Sequence, residues 1–129
     1  MNDLVIRRNA KGRGVYAARW FCRDDLVMAC PVIVAPMRAL LGPVLEFYVF
    51  EWADPATGAL ALGFGSLVNH DYRPNAVYRP KIRRREMHFV SIRPIRLGEE
   101  ITVNYNGDPE DQTPVEHVSV GLHEGRFGR

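Results

Sequence analysis

The segment Gly65-Ser66-Leu67-Val68-Asn69-His70-Asp71-Tyr72-Arg73-Pro74-Asn75 is the most informative part of this chain. It contains an adjacent Asn69–His70 pair and a Pro74–Asn75 turn, and it follows an apolar run at 59–64. Pro74 fixes its own φ and disfavours helix at the residue before it, while Asn75 tolerates turn geometry. We therefore predict a polar loop that is anchored in the core at one end, where binding residues often lie.

The Asn69–His70 pair has two interpretations. Its side chains offer both hydrogen-bond donors and acceptors, which suits a polar heteroaromatic ligand. Alternatively, the pair belongs to a turn that satisfies buried backbone groups. The segment by itself leaves both open.

Composition bounds the class of protein. The chain has 129 residues, enough for one domain with a modest core, and its 47% hydrophobic and 25% charged residues are ordinary for a globular protein. A net charge of +2 is too small to indicate a nucleic-acid partner, so we expect no direct nucleic-acid binding. The only cysteines, Cys22 and Cys30, are too few for a structural zinc site or a disulfide framework. We predict two buried thiols and no metal.

We expect neither a membrane span nor a signal peptide in this sequence. No apolar run approaches the ~20 residues of a membrane span, and Met1-Asn2-Asp3 does not open a signal peptide. We therefore expect no membrane partner and a cytoplasmic location, with export by a non-standard route left open.

Short β-prone runs recur along the chain, with turn residues about every ten positions. We predict strands at 4–6, 15–18, 26–34 (broken or bulged at Pro31), 46–52, 76–79, 87–92 and 101–105. Gly42-Pro43 keeps any helix in 39–45 short, and the residues from Asn106 onward read as an irregular tail. This spacing predicts a mainly-β domain of several small sheets.

Two turn segments carry unusual residues. Gly12 and Gly14 flank Arg13, which would let the backbone approach a ligand closely, although a plain hairpin turn is the alternative. The basic run Lys81-Ile82-Arg83-Arg84-Arg85 joins two predicted hairpin arms. No aromatic residues interleave with it, so we predict a solvated loop rather than a binding patch.

Three segments then stand in a fixed order: Gly12 to Ala17, Gly65 to Asn75, and Gly98-Glu99-Glu100-Ile101-Thr102-Val103-Asn104-Tyr105. This ordered set resembles the SET-domain lysine methyltransferases, most of all their small stand-alone bacterial and viral members, over roughly Val5 to Tyr105. The resemblance implies a β-clip of small curved sheets with a C-terminal pseudoknot. It also implies a SET domain at 1–105 and a tail at 106–129 that completes or covers the site.

The resemblance implies a cofactor, S-adenosyl-L-methionine, and assigns residues to it. Gly12, Arg13 and Gly14 match the glycine segment that approaches the methionine end of the cofactor. Asn69 and His70 match the pair that holds its amino and adenine groups.

The resemblance also implies a catalytic group. Tyr105 matches the tyrosine that contacts the cofactor and lines the lysine channel. Tyr78 matches a second position in that channel, and Tyr48 a third. A lysine must arrive neutral, against an ordinary pKa of about 10.4, and a dry tyrosine-lined channel beside a positive sulfur lowers that pKa. No carboxylate or histidine is then required as a general base.

Two positions depart from the family. Asp71 stands where serine is usual, and its carboxylate either caps nearby amides or perturbs the site. The aromatic residue that covers adenine in many relatives is not evident after Tyr105, where the chain offers only His117, His123 and Phe127.

The expected partner is a lysine-bearing protein, such as a histone or another basic DNA-binding protein, and a homodimer is a further expectation. Acidic residues near Tyr105 in sequence suggest a rim that favours basic segments, with a merely solvated acidic tail as the alternative; they are Glu99, Glu100, Asp108, Glu110, Asp111 and Glu116. Two competing classes remain: a SET-fold module that binds without turnover, and a β-clip domain with no ligand.

Overall fold

The computed structural model describes residues 3–115, a mainly-β chain with one short α-helix and two 3-10 turns. The strands are β1 (Leu4–Asn9), β2 (Gly12–Ala17), β3 (Leu26–Pro36), β4 (Val49–Glu51), β5 (Thr57–Ala61), β6 (Asn69–His70), β7 (Ala76–Lys81), β8 (Glu86–Ser91) and β9 (Thr102–Val103). The helix is α1 (Met37–Leu40), and the 3-10 turns span Leu45–Phe47 and Gly65–Leu67. Within the described residues, no helix is long and apolar enough to cross a membrane.

These strands form three sheets. β1 and β2 make an antiparallel hairpin, and five strands form an antiparallel sheet in the order β4-β5-β3-β8-β7. The third sheet is the parallel pair β6–β9. The prediction of a mainly-β domain with several small sheets is confirmed, including the hairpin arms β7 and β8.

Strand β3 joins the two halves of the five-stranded sheet. Its residues up to Pro31 pair with β8, and those from Val32 onward pair with β5. The predicted break at Pro31 is wrong: the strand runs through it, and the shift in register lies between Leu26 and Met28. Pro31 has no N–H to donate, so it fits at the point where the strand changes partner.

The predicted strand at 46–52 is mostly wrong. Residues 45–47 form a 3-10 turn, in which the Tyr48 amide donates to the Leu45 carbonyl at 2.8 Å, and only β4 is extended. The aromatic residues of this run favoured a strand, but Phe47 is buried while it lies in the 3-10 turn. The turn therefore leaves Tyr48 just before the edge strand of the sheet.

The core is built by residues of all three sheets and their connections, mainly β-branched and aromatic ones. Along β8, Met87, Phe89 and Ser91 are fully buried and alternate with more exposed neighbours, as a strand with one covered face requires. Cys30 is also buried, and burial raises the pKa of its thiol to about 11. Cys22 is exposed, so the prediction of two buried thiols is wrong for that residue.

The C-terminal segment packs against the central stretch. β9 pairs with β6 so that Asn69 faces Thr102 and His70 faces Val103, and the Asp71 amide donates to the Val103 carbonyl at 2.9 Å. These contacts join segments more than thirty residues apart. They place the chain after residue 99 against the loop that contains Asn69 and His70, as a pseudoknot requires.

The buried side chain of Asn75 strengthens this junction. Its amide group donates to the Glu100 carbonyl at 2.7 Å and accepts from the Thr102 amide at 2.9 Å. The carboxamide therefore acts as a peptide group would in a strand ladder. Asn75 thus satisfies buried backbone groups, which is the structural role considered for this segment.

Candidate active site

Asn69 is the buried centre of the site, with 1% of its surface exposed. Its Nδ2 donates to the Arg13 carbonyl and to the Glu100 carboxylate, both at 2.8 Å. Both partners can only accept, so the orientation of the carboxamide is settled by chemistry. The oxygen of Asn69 then remains as the acceptor that this side chain can offer to a ligand.

The glycine segment contacts Asn69 directly. Gly12 begins β2 with a φ of +111°, which side chains other than glycine rarely adopt, and it closes the β1–β2 hairpin opposite Asn9. A Cβ at Gly14 would collide with the Glu100 carboxylate and lie 3.0 Å from Nδ2 of Asn69. Gly12 and Gly14 therefore lie in a hairpin, their approach to a ligand stays a prediction, and a Cβ at Gly14 would require the Glu100 carboxylate to move.

His70 links this region to Tyr105. The Tyr105 amide donates to Nδ1 of His70 at 3.0 Å, so Nδ1 is the accepting nitrogen and the neutral ring carries its proton on Nε2. The His70 ring also meets the Tyr105 ring at 5.1 Å and the edge of Tyr72 at 4.3 Å. Because His70 is buried, these contacts fix the position of the Tyr105 backbone.

The hydroxyl groups of Tyr105 and Tyr78 are both oriented by backbone carbonyls. Tyr105 donates to the Val68 carbonyl at 2.7 Å, and Tyr78 donates to the Tyr105 carbonyl at 3.1 Å. Each hydroxyl proton is therefore committed to a carbonyl, and what the two oxygens can present to a neighbouring group is their lone pairs.

A cavity of about 620 Å³ brings the three candidate tyrosines together. Its walls include Tyr48, Tyr78 and Tyr105 along with apolar residues of α1, the first 3-10 turn and β4. Phe50 packs edge-on against Tyr78 with the ring centroids 4.8 Å apart. The residues after Tyr105 also contribute to the walls, through Asn106, Gly107 and Val115.

Comparison with known proteins identifies the family. The sequence profile of the SET domain matches residues 12–106, which is most of the chain. The chain belongs to the SET-domain family. The predicted fold is confirmed, and so is its assignment to a family of protein-lysine methyltransferases.

Two relatives show the extent of the similarity. A curated fission-yeast protein (Schizosaccharomyces pombe), histone-lysine N-methyltransferase, H3 lysine-37 specific, is 30% identical over 109 residues, covering 81% of this chain and 74% of that protein. A solved structure of a candidate histone methyltransferase from Plasmodium falciparum aligns with a TM-score of 0.68 and 24% identity. That alignment covers 81% of this chain and 94% of the other, and it supports the fold.

Within this SET domain, the contact between Glu100 and Asn69 is the feature of the site that the sequence did not predict. Glu100 was expected in an acidic rim near Tyr105, but its carboxylate accepts from Asn69 and fills the space beside Gly14. Glu99 is also engaged internally, by Arg93 at 2.9 Å and by Asn75 at 3.3 Å. The rim prediction is therefore wrong for these two residues.

The remaining expectations fall on loops. The Asp71 carboxylate accepts from the Arg73 amide at 2.8 Å and so caps a nearby amide, as one of the two alternatives predicts. In the described part of the tail, Asp108 and Asp111 accept from the backbone amides of Glu110 and Thr113. Glu116, and the residues considered for covering adenine (His117, His123 and Phe127), lie outside the described residues.

Proposed function

We propose that this SET domain transfers a methyl group from S-adenosyl-L-methionine to the ε-amine of a lysine in a protein substrate. The observation that carries this proposal is the cavity that collects Tyr48, Tyr78 and Tyr105 next to the buried Asn69–His70 pair. The Tyr105 amide donates to Nδ1 of His70, and this contact links the predicted channel residues to the predicted cofactor residues.

The residues around Asn69 fit the cofactor. The oxygen of Asn69 is a suitable acceptor for an ammonium group, because both of its amide protons are directed toward Arg13 and Glu100. Gly12, Arg13 and Gly14 would supply backbone groups on one side and His70 on the other. When bound, the cofactor supplies an electrophilic methyl group on a positively charged sulfur.

The cavity fits a lysine that must lose its proton. Phe47, Phe50 and Val68 give it apolar walls, and burial among such walls lowers the pKa of an amine. The hydroxyl oxygens of Tyr105 and Tyr78 can accept from the neutral amine and orient its lone pair, because their own protons are donated to carbonyls. In this arrangement no side chain has to act as a general base. Well-aligned reactants gain ~7–11 kcal/mol from orientation alone.

For the substrate, we propose a lysine within a basic segment, such as a histone tail or another DNA-binding protein. The acidic residues that line the cavity are Glu46 and Glu51, rather than Glu99 and Glu100. The exposed Glu51 can attract cationic residues that flank the target lysine. The similarity to an enzyme named for lysine 37 of histone H3 supports the histone proposal.

Several finer expectations stay predictions. They are the likeness to small stand-alone bacterial and viral members, the cytoplasmic location, the homodimer, and the division into a domain at 1–105 and a tail at 106–129.

The test is a methylation assay with methyl-labelled cofactor. The substrates are core histones, a histone H3 tail peptide, and the same peptide with every lysine replaced by arginine. We expect label in the histones or the lysine peptide and none in the arginine peptide, with mass spectrometry locating the modified residue.

Lysates from a bacterial and a eukaryotic cell extend the substrate search. If calorimetry shows cofactor binding but no protein in either lysate is labelled, the protein is a binding module and the enzymatic proposal fails. If the cofactor does not bind, the assignment of Asn69 and His70 fails too.

A further inference from the structure

A strongly basic surface lies away from the cavity, at the tip of the β7–β8 hairpin. We define the basic tip as Arg79, Lys81, Arg83, Arg84 and Arg85. All five residues are exposed, and the intervening Ile82 is 47% exposed. A solvated loop is the prediction made for this run from the sequence.

The charge of the basic tip is not balanced locally. None of its five side chains has an ion-pair partner among residues 3–115. Glu86, which faces Lys81 across the hairpin, is instead bonded to His88 at 2.8 Å. Outside residues 79–85 the chain has all fifteen of its acidic residues but only twelve of its seventeen basic ones. The rest of the chain therefore carries a net negative charge. The small overall charge therefore conceals a separation of charge, which an argument from net charge misses.

The backbone of the basic tip is ordered and locally strained. The turn is closed by amides of Arg84 and Arg85 that donate to Lys81 and Ile82, and Val32 of β3 donates to the Arg85 carbonyl at 3.2 Å. Arg85 has a φ of +52°, in the left-handed region where glycine or asparagine is more stable. An arginine at such a position costs stability, and strain of this kind concentrates at functional sites.

We propose that the basic tip is a binding site for the phosphate backbone of a nucleic-acid duplex. Arginine forks match phosphate oxygens, and a turn whose backbone is already hydrogen-bonded loses little backbone entropy when a polyanion binds its five cations. An acidic protein partner is less favoured, because protein interfaces centre on aromatic or aliphatic anchors and the tip offers only Ile82. A single apolar residue is equally little for a membrane surface.

The basic tip lies near enough to the cavity to influence which lysines are methylated. This part of the proposal rests on the proposed methyl transfer. β7 carries Tyr78 at the cavity and Lys81 at the tip. Three residues of extended strand span about 10 Å. A protein substrate that is itself bound to the duplex would thus be held close to the cavity. The proposed site therefore favours lysines in nucleic-acid-bound proteins.

The test measures binding of the full chain to a fluorescent duplex of about 20 base pairs at several salt concentrations, without cofactor or protein substrate. If all five cations contact phosphates, the logarithm of the association constant falls with the logarithm of salt with a slope of about −4.5. The double variant Arg83→Gln/Arg84→Gln should reduce the magnitude of this slope by about 2. The matched control is Arg23→Gln/Arg96→Gln, which removes the same charge from exposed positions near the other end of β8 and should leave the slope unchanged.

Arg85→Gly separates binding from folding. It removes one cation and the strain of a side chain held at positive φ. The magnitude of the salt slope should therefore fall by about 1 while the melting temperature does not fall. If Arg85→Gly lost binding only because it unfolds, the weaker slope would instead come with a lower melting temperature.

Three outcomes would overturn the proposal. They are an unchanged slope in Arg83→Gln/Arg84→Gln, an equal loss in the control pair, and tighter binding to polyglutamate or to phosphatidylserine vesicles than to the duplex at equal ionic strength. The double variant should still methylate a free peptide at the wild-type rate. Failure of duplex binding is therefore distinguishable from failure of the methyltransferase proposal.

Discussion

At the scale of single residues, hydrogen-bond partners decide what each group of the candidate site can offer. Tyr105 is the clearest case, because its hydroxyl donates to the Val68 carbonyl and the residue lines the cavity. The donated bond holds the ring in place, and the lone pairs are what remain for an amine or a polarised methyl group. One atom thus has a structural and a proposed chemical role, and a substitution can measure them separately.

We expect Tyr105→Phe to slow methylation at least about a hundredfold, the usual loss when one preorganised polar group leaves an active site. The free energy of unfolding should fall by only about 1 kcal/mol, since the ring stays and one hydrogen bond is lost. Labelled-methyl transfer and denaturant unfolding measure the two effects.

Tyr16→Phe is the matched control for this prediction. It also loses a hydrogen bond, from Asn9 at 2.9 Å, but its side chain does not line the cavity. It should retain near-wild-type activity. A fully active Tyr105→Phe would refute the proposed role of the hydroxyl.

At the scale of elements, three short segments meet around one carboxylate. β2 contributes Gly14 and β6 contributes Asn69. Glu100, two residues before β9, contributes the carboxylate that contacts both of them. None of these strands is long, so the site depends on their mutual contacts rather than on an extensive ladder. A side chain at Gly14 would therefore displace the Glu100 carboxylate from Asn69.

The sequence predicted some of these elements better than others, for physical reasons. The arms of the β7–β8 hairpin were predicted from two β-prone runs, at 76–79 and 87–92, that a basic turn joins. β5 was recognised only as an apolar run, since Thr57–Ala61 is built of small residues with low strand propensity. The contact of Glu100 with Asn69 joins residues 31 positions apart, and no local pattern encodes it. The collection of the tyrosines followed from the family resemblance, not from periodicity.

Gly14→Ala should destabilise the fold by about 1 kcal/mol, because the added methyl group displaces the Glu100 carboxylate from its hydrogen bond with Asn69. It should also weaken cofactor binding by displacing the Asn69 amide. Chemical denaturation and calorimetry with S-adenosyl-L-methionine measure these losses. Gly42→Ala is the matched control, since a Cβ there has no atom within 4 Å.

A double-mutant cycle tests the cause of this loss. In a Glu100→Ala background the colliding carboxylate is gone, so Gly14→Ala should cost less than it does in the wild type. Additive free-energy changes in the two backgrounds would show that Glu100 does not impose the glycine.

At the scale of the whole molecule, polar contacts fasten the C-terminal segment to the rest of the fold. Glu99 is central to them: its carboxylate accepts from Arg93, Asn75 and the Arg96 amide. Partial burial raises the pKa of Glu99, but these hydrogen bonds and the Arg93 charge outweigh it and leave the pKa below its ordinary value. The folded protein therefore binds this proton less readily than the unfolded chain does.

The sign of this shift predicts how acid weakens the fold. A carboxylate with a lowered folded-state pKa contributes stability that is fully present above its unfolded-state pKa and is lost as the pH falls through the folded value. Glu99→Gln should therefore lower the melting temperature at pH 7 by a few degrees, corresponding to about 1 kcal/mol for a group that is 29% exposed. The difference from wild type should shrink as the pH falls below about 4, where the unfolded chain binds the proton, and disappear once the folded protein binds it too. Glu110→Gln, at an exposed acidic position, should show neither effect. Thermal unfolding of the three proteins at pH 7 and pH 3 measures this, and a difference between Glu99→Gln and wild type that is the same at both pH values would show that the charge of Glu99 does not stabilise the junction.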